Sequence, residues 1–301
     1  MKIVRGIAKV LVALLAAAGI ALGFVYWHTG RIFAERIVVA EPALPIPADA
    51  PALSHGAHVA LTHGCADCHD ADLGGKVIVD AFPIGRIAGP NLTRGKGGIG
   101  RVFDARSAEL AIRHGLGPDG RPLLFMPSHD YSGLSDADTA DLIAYIAARP
   151  PVDREVPPPL AGPLARVLFL LDRMPLIEAL QIDQHAAHRS DIEAAPTVEY
   201  GAYLAMSACG GCHGEHFSGG RVPGTPPSFP AAQNLTPDPV TGIGKWSKAD
   251  FHTALRQGRR PDGSTLDPFM PWPALAQMTD LELDALWAYL QTLPPRPQGQ
   301  R

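Results

Sequence analysis

Four cysteines and two histidines form the same five-residue motif twice in this chain. Two cysteines that lie three residues apart share one turn of a helix and can present both sulfurs to the two vinyl groups of a porphyrin. The histidine that follows directly can bind the iron as its proximal ligand. The motif therefore predicts two covalently attached c-type haems. The residues concerned are Cys65, Cys68 and His69 in the first copy and Cys209, Cys212 and His213 in the second.

Two other interpretations use the same cysteines, which are the only four in the sequence. A zinc site built from four cysteines needs its two pairs about 15–20 residues apart, whereas 140 residues separate Cys68 from Cys209. A disulfide within each pair suits an oxidising compartment, but it does not require a histidine after both pairs. Only haem attachment uses the whole motif.

Two methionines predict the opposite axial ligand of each iron. Met126 lies 61 residues after Cys65, and Met270 lies 61 residues after Cys209; both stand in the string Phe-Met-Pro. A lone methionine is usually a core residue, but a repeated offset with repeated neighbours favours a ligand. An iron with His on one face and Met on the other is six-coordinate and suited to electron transfer at a raised potential.

Other side chains compete for the distal positions. His129 lies three residues beyond Met126 and is the main alternative for the first iron, while Met206, Met278 and His216 are weaker alternatives for the second. None of the histidines near the first motif has a histidine at the matching place of the second copy, so we expect them to be solvent-facing or loop residues. They are His55, His58, His63, His114 and His129.

The charge of the chain is unevenly distributed. Residues 1–36 carry five Lys or Arg and one Glu, and the remaining residues carry 21 Lys or Arg against 29 Asp or Glu. A basic N-terminal segment on a mildly acidic body argues against nucleic acid as a partner and fits a membrane tether.

The N-terminal segment itself predicts a membrane span. Residues 10–27 are 18 strongly apolar residues, or about 27 Å of helix, close to the thickness of a bilayer core. Lys2, Arg5 and Lys9 precede this span, so the positive-inside rule places the body outside the cytoplasm. A cleaved secretory signal with a small-residue site at 16–18 or 21–23 is the alternative. Apolar sequence continues past both sites to Tyr26 and Trp27, which favours a retained anchor.

Internal repeats divide the rest of the chain. Residues 55–150 align with 200–295 at an offset of 143–144; the shared strings include Asn-Leu-Thr, Gly-Ile-Gly and Pro-Asp-Gly. Each copy ends in an amphipathic helix with a capping signal, Ser135 in the first and Thr279 in the second. We predict a mainly α-helical chain of five parts. These are an anchor at 1–36, an extended Pro-rich spacer at 37–53, a haem domain at 54–150, a linker with an apolar helix at 151–195, and a second haem domain at 196–297.

The apolar part of the linker, residues 164–180, contains Arg166, Asp172, Arg173 and Pro175, so a second membrane span is not expected there. It predicts either a helix packed across both haem domains or a docking surface for a partner subunit, with Leu168, Leu170 and Leu171 as the contact residues.

Together these motifs resemble the class I c-type cytochromes, and in particular the membrane-associated cytochrome subunits of bacterial alcohol, aldehyde and gluconate dehydrogenases. The resemblance covers about two-thirds of the chain. It implies haem attachment outside the cytoplasmic membrane, and a hydrogen bond from His69 to the carbonyl of Pro90. The second copy has Gln233 in place of the proline, so the resemblance does not extend this role to it. The dehydrogenase subunits often carry three haem motifs, whereas this chain has two.

The sequence therefore predicts a dihaem electron-transfer protein that is not itself an enzyme. We expect it in a bacterial inner membrane with its body in the periplasm. Its donor would be a periplasmic dehydrogenase subunit, and its acceptor a quinone, a cytochrome or a terminal oxidase. The alternative is a haem enzyme of the dihaem peroxidase or thiosulfate-oxidising type, which needs one open or switchable iron.

Overall fold

A computed structural model describes residues 2–40, 42–102 and 104–301 of the chain. In this part of the chain, helices predominate, with one small antiparallel sheet and a 3₁₀ turn at Glu178–Leu180. The helices are α1 (Lys2–Ala34), α2 (Ala50–Thr62), α3 (Cys65–His69), α4 (Ala105–His114), α5 (Ser128–Tyr131), α6 (Asp136–Ala148), α7 (Pro163–Leu170), α8 (Val198–Ala208), α9 (Gly210–His213), α10 (Lys248–Gln257), α11 (Trp272–Leu275) and α12 (Asp280–Leu290), and the strands are β1 (Lys76–Ala81), β2 (Gly85–Gly89) and β3 (Leu160–Ala161).

Each repeat is built on a crossing of its first and last long helices, α2 with α6 and α8 with α12. Glycine makes this close approach possible, because a Cβ added to Gly56 would collide with the carbonyl of Asp141, and one added to Gly201 would collide with the carbonyl of Ala285. The backbones of the two helices therefore touch in both repeats. The predicted mainly α fold with two tandem haem-type domains is confirmed.

The predicted caps form at the start of both closing helices. The Oγ of Ser135 accepts a hydrogen bond from the amide of Asp138. Thr279 and Glu282 form a complete capping box, in which each side chain binds the backbone of the other residue. The first helix lacks the second half of the box because Asp138 is engaged elsewhere: its carboxylate accepts from the hydroxyl of Tyr203.

The spacer prediction was wrong in two respects. Helix α2 begins at Ala50, three residues before the predicted end of the spacer at residue 53, because Asp49 caps it and accepts from the amide of Ala52. The upstream residues also do not form a free spacer. Ile37 donates to the carbonyl of Gly120 at 2.9 Å, and Ile37 and Val39 pack against an apolar cluster of the first domain and the linker. Their β-branched side chains stabilise this contact by leaving water.

The first domain also contains a hairpin. β1 pairs antiparallel with β2, and β2 pairs antiparallel with β3 from the linker, with Arg86 opposite Leu160. The β-branched run of residues 77–79 is the signal that identifies such a strand.

The two domains share one continuous core, which contains buried residues of α2, α6, α8 and α12. Their contact is nearly symmetric. His63 Nε2 lies 3.0 Å from the Oγ of Ser207, its own counterpart in the second copy. His58 Nε2 lies 2.8 Å from Glu282 Oε1, and the Tyr203 hydroxyl binds Asp138, the counterpart of Glu282. A pseudo-twofold axis therefore passes between His63 and Ser207.

This interface corrects the expectation for the histidines. His63 and His114 are buried, and His58 spans the domain interface. His114 Nδ1 lies 2.8 Å from Gln184 Oε1 in the linker. His55 and His129 are the more exposed members, at 45% and 49% of their side-chain surface.

The linker contacts both haem domains, as the first of its two interpretations predicted. The carbonyl of Leu176 accepts from Phe125 in the first domain, and the carbonyl of Arg173 accepts from Gly224 in the second, both at 3.0 Å. Leu168 is partly buried against the apolar cluster of the first domain and the linker. It is therefore not part of a docking surface. Leu171 remains exposed.

Helix α1 has 33 residues, and by length and composition it is long and apolar enough to cross a membrane. Its C-terminal end packs on α7: the rings of Phe33 and Phe169 lie 5.9 Å apart, and Arg166 Nη1 donates to Thr29 Oγ1 at 2.6 Å. The linker helix thus fixes the domain to the end of the long helix.

Candidate haem sites

The second copy of the motif opens onto a cavity of about 450 Å³, within the range usual for cofactor sites. Its walls are mostly apolar and include Phe251, Leu255 and Leu286. A second cavity adjoins it and shares part of its lining. The predicted residues Cys209, Cys212, His213 and Met270 all line the first cavity, so the structure brings them together.

The predicted proximal histidines are held by the same device in both copies. His69 Nδ1 lies 2.9 Å from the carbonyl of Pro90, and His213 Nδ1 lies 2.7 Å from the carbonyl of Gln233. A carbonyl only accepts, so Nδ1 carries the proton and Nε2 has a free lone pair for a metal. The hydrogen bond expected for His69 is confirmed. The second copy, to which the resemblance did not extend this role, has the same hydrogen bond, because a backbone carbonyl does not depend on the side chain of its residue.

Burial keeps both imidazoles neutral. It lowers the pKa of His69 and His213 below the ordinary value, while the carbonyls of Pro90 and Gln233 act in the opposite direction. For His213 the nearby Arg301 lowers the pKa further. A neutral imidazole is the form that binds iron.

The cysteine sulfurs lie in surroundings that suit a neutral thioether. Burial, with a smaller contribution from the neighbouring cysteine, raises the pKa of Cys65 and of Cys209 to about 12. Burial also raises the pKa of Cys68 and Cys212. Zinc sites and reactive thiols need a thiolate, whereas a thioether to a porphyrin vinyl carbon carries no charge. All four sulfurs are free of disulfides, and the chemistry of this donor set fits covalent haem.

In the first copy, Cys65 and Met126 pack against the shared core. Tyr131, from the helix that follows Met126, donates its hydroxyl to the carbonyl of His63 at 2.8 Å, just before the motif. The loop with Met126 and the segment with Cys65 are thus tied together. His129, the alternative ligand, lies on the same short helix and is half exposed.

The Asn-Leu-Thr strings close each site from the other side. Asn91 and Asn234 are buried, and their Oδ1 atoms accept from the amide and hydroxyl of the threonine two residues on. Asn91 Nδ2 donates to Val152 at 2.7 Å, and Asn234 Nδ2 donates to Arg296 at 2.6 Å. Each asparagine therefore clamps the chain after its closing helix onto the loop that follows the proximal histidine. Burial also excludes their use as glycosylation sites.

Two arginines of the second copy were not identified from the sequence. Arg260 lines both cavities, and Gly117 occupies the aligned position of the first copy. Arg301 donates from Nη1 to the carbonyl of Cys212 at 2.6 Å and from Nη2 to Gly211 at 3.1 Å. The first motif has a cation comparable to Arg301 in Lys76, whose Nζ donates to the carbonyl of Ala66 at 3.2 Å, so Arg260 is the cation that distinguishes the second site. Only the spatial contacts identify the two arginines, since neither lies in a motif.

Two carboxyl groups lie between the first domain and the second motif. A Cβ added to Gly211 would collide with the carboxylate of Asp130, and Glu178 accepts from the amide of His129 at 3.0 Å. Burial raises the pKa of Asp130 to about 6 and that of Glu178 to about 7. The loop that carries Met126, the linker and the second motif therefore meet at one place.

Comparison with known proteins agrees with this geometry. The cytochrome c family profile matches residues 53–149 and 198–294. Over 97 residues, 31% of the chain and 21% of the relative, the sequence is 42% identical to the cytochrome c subunit of alcohol dehydrogenase (quinone) from Gluconacetobacter polyoxogenes. It is also 42% identical over 97 residues to the gluconate 2-dehydrogenase cytochrome c subunit of Pantoea cypripedii, covering 31% of the chain and 22% of the relative.

A diheme cytochrome c-type protein of Cereibacter sphaeroides is 42% identical over 62 residues, which are 21% of each chain. The matched segments thus span about a fifth of the length of these relatives. The two family matches lie on the two structural repeats and together cover more than half of the chain. The chain belongs to the cytochrome c family, and its two tandem cytochrome c domains carry two covalently bound haem c groups.

Proposed function

We propose that this chain is a membrane-anchored dihaem cytochrome c that faces the periplasm and relays electrons from a dehydrogenase subunit to an acceptor of the respiratory chain. The acceptor is a quinone, a cytochrome or a terminal oxidase. Three observations support the relay: two haem domains share one core, the relatives include dehydrogenase cytochrome subunits, and helix α1 has the length and composition of a membrane span.

The proposed roles of the site residues are the same in both copies. The two cysteines of each motif form the thioethers, the histidine is the proximal ligand, and the methionine is the distal ligand. The residues are Cys65, Cys68, His69 and Met126 for the first haem, and Cys209, Cys212, His213 and Met270 for the second. When bound, each haem supplies a one-electron redox centre.

The protein's own contribution is to hold its ligands rigidly and to limit access of water. The carbonyls of Pro90 and Gln233 orient the imidazoles of His69 and His213, so the ligands need little reorganisation when the charge on the iron changes. The apolar walls of the second cavity lower the local dielectric and, with a methionine ligand, favour the reduced state.

The observation that carries the proposal is the continuous core between the two haem domains. A rigid contact of this kind keeps the distance between the two redox centres constant. Electrons should therefore move between the haems within one molecule. Met270 lies on the wall of the second cavity, which supports the relay over the haem enzyme, because a methionine ligand would leave no open position on that iron.

The test is rapid reduction of the oxidised protein with less than one electron per molecule. Redistribution between the haems at a rate independent of protein concentration is the expected result. In a Met270→His variant the second haem should fall in potential, because bis-His ligation lowers the potential relative to His/Met, and the electron should move to the first haem. A redistribution rate proportional to protein concentration would refute an intramolecular relay.

A further inference from the structure

The tip of the β1–β2 hairpin carries the most exposed large apolar residue among those that the structure describes in the first haem domain. Phe82 is 90% exposed, and the turn it occupies is tied to the start of α7. Leu164 donates its amide to the carbonyl of Pro83 at 3.1 Å, and Gly162 donates to the carbonyl of Ile84 at 2.7 Å. Leu160 and Leu164, which flank these bonds, are also exposed. Together, Phe82, Leu160 and Leu164 form an apolar patch, called here the hairpin patch.

The contacts of α7 show which way this patch faces. Near the start of α7, the guanidinium of Arg166 lies 4.4 Å from the ring centre of Tyr26 and 4.8 Å from that of Phe33 on α1, and it also binds Thr29 between them. Further along α7, Phe169 packs on Phe33 of α1. The contacts of Arg166 are thus centred on Thr29 and that of Phe169 lies at Phe33, so α7 advances along α1 in the same direction. The start of α7 therefore lies toward the apolar part of α1.

The hairpin patch is joined to the start of α7 and thus lies toward the Tyr26 end of the contact between α7 and α1. Tyr26 and Trp27 stand where the aromatic belt of a membrane span meets the lipid headgroups. An exposed phenylalanine with two exposed leucines gains free energy when it enters this region. In water these residues stay solvated at a cost, with Phe82, Leu160 and Leu164 exposed to 90%, 54% and 39%.

We infer that the hairpin patch is a second membrane contact, which inserts into the lipid headgroup region beside α1 and fixes the orientation of the first haem domain on the bilayer. This inference rests on the proposed anchoring of the chain by α1. One contact alone leaves the domain free to tilt about the end of α1. A second contact, rigidly joined to α1 through Arg166 and Phe169, removes that freedom.

The experiment uses the full chain, reconstituted in vesicles of phosphatidylethanolamine and phosphatidylglycerol that contain a phospholipid with a photoreactive diazirine on its acyl chain. After illumination, mass spectrometry locates the attached lipid. We expect attachment on α1 and on the peptides with Phe82 and Leu164. The region around Val240 in the second domain is the internal control, since Val240 is 84% exposed but lies outside the hairpin patch.

In a Phe82→Ser variant, the label on Leu164 should fall by about an order of magnitude, because the main inserting side chain is lost. The matched Val240→Ser variant should leave the label on Leu164 unchanged. An unaltered haem spectrum checks that both variants fold. If one variant does not fold, the positions labelled on the unsubstituted protein still decide whether the hairpin patch contacts the membrane.

If α1 is labelled but the hairpin patch carries no more label than the region around Val240, the second contact would be overturned and the anchor would stand. Absence of label from α1 as well would overturn both the anchor and the second contact. Redistribution of electrons between the haems is independent of either outcome, so the relay is tested separately.

Discussion

The hydrogen bond between His58 and Glu282 should make the association of the two haem domains depend on pH. The partners lie 2.8 Å apart, with 26% and 8% of their side chains exposed. The hydrogen bond to Glu282 is the main cause that raises the pKa of His58, against burial. Burial acts to raise the pKa of Glu282, but the hydrogen bonds from His58 and Thr279 together lower it. Both shifts favour the charged pair in the folded protein.

The two shifts define a pH window. A raised histidine pKa contributes stability that is complete below the unfolded value of 6.5 and is lost as pH rises through the folded value. A lowered glutamate pKa contributes stability that is present above the unfolded value of 4.5 and is lost as pH falls below it. The pair should therefore stabilise the protein most between these two values.

The perturbation is His58→Ala. Hydrogen bonds to charged groups contribute about 1.5–3 kcal/mol, but His58 is partly exposed, and Glu282 keeps its bonds from the amide and hydroxyl of Thr279. We expect a loss of about 1–2 kcal/mol in the free energy of unfolding near pH 6 and a smaller loss near pH 8. The measurement is guanidinium unfolding of the full chain in detergent, followed by circular dichroism at both pH values.

His55→Ala is the matched control, because His55 binds Asp141 at 2.9 Å within its own domain and is more exposed. It should cost less than about 0.5 kcal/mol. Equal losses for His58→Ala at the two pH values, or a loss no larger than that of the control, would refute a charged interdomain pair.

Two further substitutions test the helix crossing and the asymmetry of the haem sites. Gly201→Ala should destabilise the second domain by about 1–3 kcal/mol in denaturant unfolding, because the new methyl collides with the carbonyl of Ala285. The control Gly133→Ala should not destabilise the protein, because the new methyl meets open space. Equal losses for the two variants would contradict the close helix crossing. Arg260→Gln should lower the midpoint potential of the second haem by roughly 20–60 mV, because a nearby cation stabilises the reduced state. In a spectroelectrochemical titration the midpoint potential of the first haem, which has Gly117 at the aligned position, should not change. An unchanged potential of the second haem would exclude Arg260 as a cause of any difference between the two potentials.

The features that the sequence predicts are those that are local in the chain or repeated in both copies. The haem motifs, the capping signals at Ser135 and Thr279 and the matched offsets of Met126 and Met270 each depend on short spacing or on comparison of one copy with the other. The hydrogen bond from His213 to Gln233 cannot be inferred from the side chain of residue 233, because its acceptor is a backbone carbonyl. A proline at that position is one solution among several.

Contacts between the domains could not be predicted, because no period or spacing encodes how two folded units meet. Because His58 and His63 have no histidine at the matching places of the second copy, the sequence predicts that they are solvent-facing or loop residues. Their function depends on that asymmetry: they bind Glu282 and Ser207 across the interface. Arg301 was missed for the same reason, since its contact with Cys212 joins distant parts of the chain.

The most direct test of the central claim is an optical redox titration of the purified protein, which follows the visible haem bands and the near-infrared charge-transfer band from methionine to ferric iron. Two His/Met haems predict two one-electron steps and a charge-transfer band of full intensity for two centres. A band of half intensity, with one centre at low potential or able to bind carbon monoxide, would contradict the assignment of Met126 or Met270. It would direct attention to His129 or to an open iron.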